Sequence, residues 1–353
     1  MENERIGLGV IGCGEIAVRT AEGIAVASHA RHVMVMDVDA GVAENLGSTH
    51  GVPWTTDVAE LLANPDVDAV YIAVPHYLHA SLTIQALEAG KHVLVEKPIA
   101  TTLEEADAMI AASQRTGRIL SVGFDAQVNP ESQHLRQLIA DGAIGKVTGT
   151  RIVYRGDKPA SYWQSGYTGR IQTDWRSSKQ KSGGGVMVMN TIHDLNTIRY
   201  ITGLEVTRIA AEAGTFATPV EVEDFVSATY RYDNGAIGSL EAGSALAGKD
   251  PLGEQNRIYG DAGQILLTSP ARIFERGADG NGEWRELPAR AETREEGRAR
   301  VVDGFAKAVL NGTQPPVTGE DGWATLAIVL AAYQSSDEQR TVTIPERITA
   351  ANA

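Results

Sequence analysis

The run IGLGVIGCGEIA, residues 6 to 17, constrains this 353-residue chain more than any other stretch. IGLGVI is a short apolar run that predicts a strand buried on both faces, as in a parallel sheet. Gly12-Cys13-Gly14-Glu15-Ile16-Ala17 then fits a dinucleotide fingerprint with alanine in its third small position. Gly12 permits the tight turn, Gly14 lets the backbone approach a pyrophosphate, and the helix opened by Glu15 and Ile16 offers unpaired amides to the anion. A bare glycine motif serves a sheet alone often enough, so its context decides. A second apolar run, HVMVM at 32 to 36, ends at Asp37, where a carboxylate accepts hydrogen bonds from ribose hydroxyls and repels a 2'-phosphate. No arginine stands beside it in MDVDAG. The expected cofactor is NAD.

Further apolar runs at 69 to 74 (AVYIAV), 92 to 95 (HVLV) and 119 to 124 (ILSVGF) alternate with segments of helical period. In HASLTIQALEAG, Leu82, Ala86 and Leu87 share one helical face and Gly90 stands at the C-cap position. Repeated strand-helix alternation predicts an α/β fold, a doubly wound parallel sheet forming an NAD-binding Rossmann domain over 1–125. After about residue 145 the pattern changes to alternating stretches such as TGTRIVYRG, DFVSATYRYDNGAIGSLEAG and GQILLTS, with Asn234-Gly235 as a hairpin turn. The expectation for 126–353 is an α+β domain with a large, mostly antiparallel open sheet, for substrate binding and oligomerisation, its C-terminal segment free to pack back on the first domain. The charged stretch 291 to 300, AETREEGRAR, reads as a solvated helix start.

A net charge of -14 argues against a nucleic-acid partner. The single cysteine, Cys13, excludes an intrachain disulfide and a Cys-based zinc cluster and suits a reducing compartment, and no metal is expected. The start MENERIGLGV lacks a basic segment leading into a long apolar one, and no window supplies a membrane span. A cytoplasmic location and no membrane partner are therefore expected.

Two later motifs carry candidate chemistry. In VEKPIATT, Glu96, Lys97 and Pro98 follow HVLV directly, and side chains at the carboxyl ends of parallel strands face the ligand crevice. Pro98 restricts the backbone from which Lys97 projects. In SGGGVMVMNTIHDLNTIRYITG, Gly183, Gly184 and Gly185 would allow close backbone approach to a ligand, and a helix is predicted from Val186 to Ile201, stopped near Gly203. Val188, Ile192 and Leu195 make its apolar stripe, while Asn190, His193 and Asn196 or Thr197 lie along a neighbouring polar face. Taken alone, a histidine in a half-buried helix is most simply structural. Pro75, His76 and His79 in VPHYLHA follow another strand and are cofactor-side candidates, a supporting role being the simpler one for both histidines.

With these motifs in place, the chain resembles the Gfo/Idh/MocA family of NAD(P)-dependent sugar and polyol oxidoreductases. The likeness runs through GVIGCGEIA, DAVYIAVPHYLHASLTIQALEAGKHVLVEKPIATT, GAIGKV, SGGGVMVMNTIHDLNTIRYITG and PVTGEDGWATLAIVLAAYQSS. EKP followed by a GGG-led helix carrying His193 is its most specific part. The resemblance implies a Rossmann domain, a second domain whose open sheet supports a homo-oligomer, dimer or tetramer, and an active site where Lys97 and His193 meet beside the nicotinamide. His193 falls on the family's catalytic histidine and would act as the base that takes a hydroxyl proton as hydride leaves; Lys97 would donate a hydrogen bond or relay the proton. The cofactor-binding set is then Gly12, Gly14, Glu15, Ile16, Asp37, Pro75, His76, His79, Glu96 and Lys97. Two positions depart from the family: Met189 replaces an aspartate four residues before the histidine, and Asn196 replaces one three residues after it.

The segment from Arg155 to Gly185 holds Tyr162, Trp163, Tyr167, Arg170, Trp175 and Arg176. It reads equally as a lid over a carbohydrate or as aromatic anchors and subunit contacts. Trp175 and Arg176, just before the GGG-led helix, join Asn190, His193 and Asn196 as substrate-side candidates. Alternatives to a dehydrogenase are a glycosidase that oxidises its sugar transiently on bound NAD and eliminates the aglycone, and a sensor that binds NAD and sugar without turnover.

Overall fold

Buried apolar runs and amphipathic segments alternate through the first part of the computed structural model, which describes residues 5–347 except 249–252, 254, 278 and 289–291. The first elements are β1 (Ile6–Ile11), α1 (Glu15–Val26), β2 (Ala30–Met36), α2 (Ala40–His50), β3 (Trp54–Thr55), α3 (Val58–Ala63) and β4 (Ala69–Ile72). They continue through α4 (His79–Glu88), β5 (His92–Val95), α5 (Leu103–Thr116), β6 (Leu120–Val122), α6 (Pro130–Ala140) and β7 (Val147–Arg155). Next come α7 (Tyr162–Ser165), α8 (Lys179–Ser182), α9 (Ile192–Thr202), β8 (Val206–Gly214), β9 (Phe225–Tyr232), β10 (Ile237–Gly243), β11 (Arg257–Gly260) and β12 (Gly263–Leu266). The last are β13 (Arg272–Arg276), β14 (Gly282–Glu286), α10 (Arg294–Asn311), α11 (Gly319–Glu338) and β15 (Val342–Thr343).

Two compact units share the chain, and neither is one contiguous stretch. The first comprises residues 1–129, 161–183 and 292–323; the second comprises 130–160, 184–291 and 324–353. The stretch 1–125 expected from the sequence falls within the first unit, while the stretch 126–353 is divided between the two. Residues 292–323 fall in the first unit for a packing reason: Ala299, Val302, Phe305 and Ala306 of α10 share one buried cluster with Ala17, Ala21 and Ile24 of α1. A capping box between Thr293 and Glu296 starts α10 inside the charged stretch read as a helix start.

In the first unit six strands run in the order β3-β2-β1-β4-β5-β6, and every pairing is parallel. This is the doubly wound dinucleotide-binding order. All six residues of β1 are buried, as a sheet covered on both faces requires.

In the second unit nine strands run β14-β13-β12-β11-β7-β10-β9-β8-β15. Among the described residues only β7 and β10 of this sheet pair in parallel, and its other ladders are antiparallel. Asn234-Gly235 closes the β9–β10 hairpin, with Gly235 at φ 89°. Leu135 of α6 and Ile201 of α9 pack with Ile258, Ile265 and Ile273 of the sheet. Strands β9 and β10 alternate buried and open positions, so one sheet face bears the core while Ile237 on the other is 52% exposed. Among the described residues no helix is long and apolar enough to cross a membrane.

Candidate active site

The glycine turn after β1 has the geometry a dinucleotide requires. Gly12 sits at φ 88°, and a Cβ there would lie 2.5 Å from the carbonyl oxygen of Ala73. Gly14 is the N-cap of α1 and brings no side-chain cap, so the first-turn amides keep their capacity for an anion. The Asp37 carboxylate accepts from the amides of Cys13 at 2.8 Å and Asp39 at 3.0 Å. Those bonds fix it at the end of β2, with lone pairs left for ribose hydroxyls. Cys13 is fully buried and its thiol is pushed up to about 12 by burial and by Asp37. The turn, the helix start and the carboxylate together fit a nicotinamide dinucleotide.

Segment 161–183 belongs to this unit and lies across the glycine turn. Arg170 Nε donates to the Cys13 carbonyl at 3.1 Å and Nη2 reaches the Val42 carbonyl at 3.5 Å. Tyr167 donates its amide to Glu15 Oε2 at 3.0 Å, and Glu15 Oε1 pairs with Arg19 at 3.1 Å. Glu15 therefore fastens the segment to α1, while Ile16 packs against the buried cluster of this unit. Arg170 carried no motif; only the sequence-distant carbonyls of the turn and of α2 reveal what it does.

At the carboxyl end of β5, Lys97 is half-buried. Burial pulls its ammonium down to about 8 against the attraction of Glu96, and Arg298 and Arg176 add repulsion. His79 is fully buried, with Nδ1 2.7 Å from the Pro98 carbonyl and Nε2 3.0 Å from that of Val74. It braces the backbone beside Lys97. His76, in the single turn after Pro75, sets Nδ1 2.7 Å from the Ser182 carbonyl and its ring 4.5 Å from that of Trp175. Arg176 stacks over the rings of Trp175 and Tyr162 at 4.6 and 5.4 Å. Pro75, His76, His79, Glu96, Lys97, Trp175 and Arg176 thus gather in one unit with Gly12, Gly14 and Asp37.

The other candidates stand in the second unit. The helix read from Val186 to Ile201 opens with a π-type stretch, Met187–Thr191, before α9; such wide turns recur at functional sites. Its start is held by a residue the sequence did not single out. Glu223 accepts from the amides of Gly185 at 2.6 Å and Met187 at 2.9 Å and from the Tyr333 hydroxyl at 2.8 Å. The close approach expected at the glycine triplet is taken by the protein itself: a Cβ on Gly185 would strike the Glu223 carbonyl, and one on Gly184 the Tyr333 ring.

Asn190 Oδ1 accepts from Lys158 Nζ at 2.7 Å, and Lys158 is only 5% exposed. Nothing in the sequence singles out Lys158, since a lysine in a polar stretch carries no local sign of burial. His193 is half-buried, Met189 is buried, and Asn196 is 1% exposed, enclosed within the unit. Lys97 and His193 therefore stand in different units.

Comparison with known proteins agrees with this architecture. A family model described as Gfo/Idh/MocA oxidoreductase, NAD-binding Rossmann fold, matches residues 6–124, and the Gfo/Idh/MocA C-terminal domain matches 132–266. The 1,5-anhydro-D-fructose reductase of Ensifer adhaerens is 30% identical over 93% of this chain and 95% of its own. The myo-inositol 2-dehydrogenase of Thermotoga maritima is 29% identical over 97% of this chain and 99% of its own. A solved levoglucosan dehydrogenase, in complex with NADH and levoglucosan, superposes with a TM-score of 0.85 at 25% identity, covering 97% of this chain and all of the other.

Proposed function

We propose, because this chain belongs to the Gfo/Idh/MocA oxidoreductase family, that it moves a hydride between nicotinamide C4 and a carbinol or carbonyl carbon of a sugar, inositol or sugar derivative. The observation that carries this reading is Lys97, half-buried at the carboxyl end of β5 with an ammonium pulled down to about 8, in the unit that holds the glycine turn. Gly12, Gly14 and Asp37 hold the dinucleotide, and the Asp37 carboxylate favours NAD over NADP. When bound, the cofactor supplies the hydride acceptor or donor. His193 takes the hydroxyl proton in oxidation and returns it in reduction, and Lys97 donates a hydrogen bond to the reacting oxygen. Asn190, aligned by Lys158, Trp175 and Arg176 are the residues we assign to sugar hydroxyls. Met189 offers only a weakly accepting thioether in place of an ionised carboxylate, so we assign that duty to Asn190. We assign the open face of the nine-stranded sheet to homo-oligomer contacts.

The test is NADH formation from NAD, in parallel with NADPH from NADP, across aldoses, inositols, anhydrosugars and glycosides. NAD-linked turnover on at least one polyol is expected. Aglycone release without net NADH would reassign the protein to transient oxidation and elimination. Tight NAD binding with no hydride exchange would make it a sensor.

The strap across the glycine turn adds a kinetic expectation. Arg170→Ala removes two hydrogen bonds from a guanidinium to main-chain carbonyls, and hydrogen bonds to charged groups contribute about 1.5–3 kcal/mol each. Dissociation of NADH is expected to quicken at least about tenfold, measured by stopped-flow cofactor fluorescence.

A further inference from the structure

We propose that Arg298 is a positioning residue for Lys97, acting through the buried carboxylate of Glu96. The inference rests on the reading that Lys97 takes part in the reaction. Glu96 is 4% exposed, and its two oxygens are separately engaged. Oε1 accepts the Tyr71 hydroxyl at 2.7 Å and faces Arg298 Nη1 at 3.4 Å, while Oε2 accepts the Lys97 amide at 3.2 Å. Tyr71 in turn accepts from Thr20 Oγ1 at 2.9 Å. The carboxylate next in sequence to Lys97 is thus tied to β4, to α1 and to α10.

What brings Arg298 there is close helix packing. A Cβ on Gly23 of α1 would lie 2.6 Å from Arg298 Cβ and 2.9 Å from the Ala299 amide nitrogen. Glycine lets α10 sit against α1, and α10 then delivers the guanidinium to Glu96. A carboxylate left alone in that setting would hold Lys97 as a tight ammonium. With Arg298 beside it, the same carboxylate is shared between two cations, and burial can pull the lysine down toward neutrality. The other charged or titratable groups facing this cluster are Tyr71, His76, His79, Arg176 and, beside Arg298, Asp125. Burial lowers both histidines, outweighing the Ser182 carbonyl at His76 and the Pro98 and Val74 carbonyls and Glu96 at His79.

The experiment compares the full-length wild type with Arg298→Gln and Arg298→Lys. Acetic anhydride reacts only with the free amine, so the labelling rate of Lys97 against pH, read by peptide mass spectrometry, reports its titration without any turnover. The half-labelling pH is expected to rise by about one unit in Arg298→Gln, a tenfold loss of free amine at fixed lower pH, and to stay near wild type in Arg298→Lys. Arg298→Met, which keeps the apolar stem, is expected to show the same rise and serves if the glutamine variant does not fold. An unmoved midpoint in the neutral variants overturns the inference. A midpoint that moves while the pH profile of kcat/KM does not supports the link from Arg298 to Lys97 and removes Lys97 from the chemistry.

Discussion

Lys97→Met is expected to lower kcat by about three orders of magnitude, within the range that a positioned acid-base group contributes, while leaving NADH affinity nearly unchanged. Methionine keeps the length and apolar stem of lysine but has no proton to donate. The pH profile separates this from a packing defect. Lys97 loses its proton through about 8, so carbonyl reduction, in which the charged hydrogen bond from the ammonium polarises the reacting oxygen while His193 returns the proton, is expected to fall as pH rises past that value in the wild type. That limb should vanish in the variant. Steady-state rates in both directions, with cofactor binding followed by fluorescence, are the measurements; a variant of near-normal kcat would exclude the lysine from the reaction.

His193→Ala is expected to cost oxidation roughly 10²- to 10⁴-fold, with the loss concentrated in kcat. The imidazole is half-buried on a helix whose start is pinned by Glu223 and Tyr333, so truncation removes a base without disturbing the turn that holds it. His193→Gln gives the control: it keeps a hydrogen-bonding side chain of similar reach but cannot take a proton at neutral pH. Both variants should be equally slow. If glutamine restored turnover, orientation and not proton transfer would be the role of the histidine.

Much of the first unit could be read from the chain because a parallel sheet writes itself as apolar runs, and because Gly12 and Asp37 hold their places for reasons local to one β-α-β unit. What escaped was non-local. Arg298 and Glu96 are 202 positions apart, and nothing in the period of α10 names the helix it will cover. At Gly184 and Gly185 the space the sequence offers to a ligand is taken by Tyr333 and Glu223; a glycine announces that something comes close but not what. Lys158 is invisible for the same reason, since its partner Asn190 lies 32 positions away. The aromatic segment is anchored inside the first unit, with Trp175 against the His76 ring, Arg176 over the Tyr162 ring and Arg170 on the glycine turn.

The return of residues 292–323 to the first unit sets an order on synthesis. A ribosome that has made the six parallel strands has still not made the helix that buries Ala17, Ala21 and Ile24. Domains usually fold as they emerge, but here the nucleotide-binding half must wait with one apolar helix face bare while the strands and helices of the other unit between residues 130 and 291 are translated. That face is where a chaperone would find the nascent chain, and where cutting a gene fragment at the end of the parallel sheet would yield a sticky product instead of a working module.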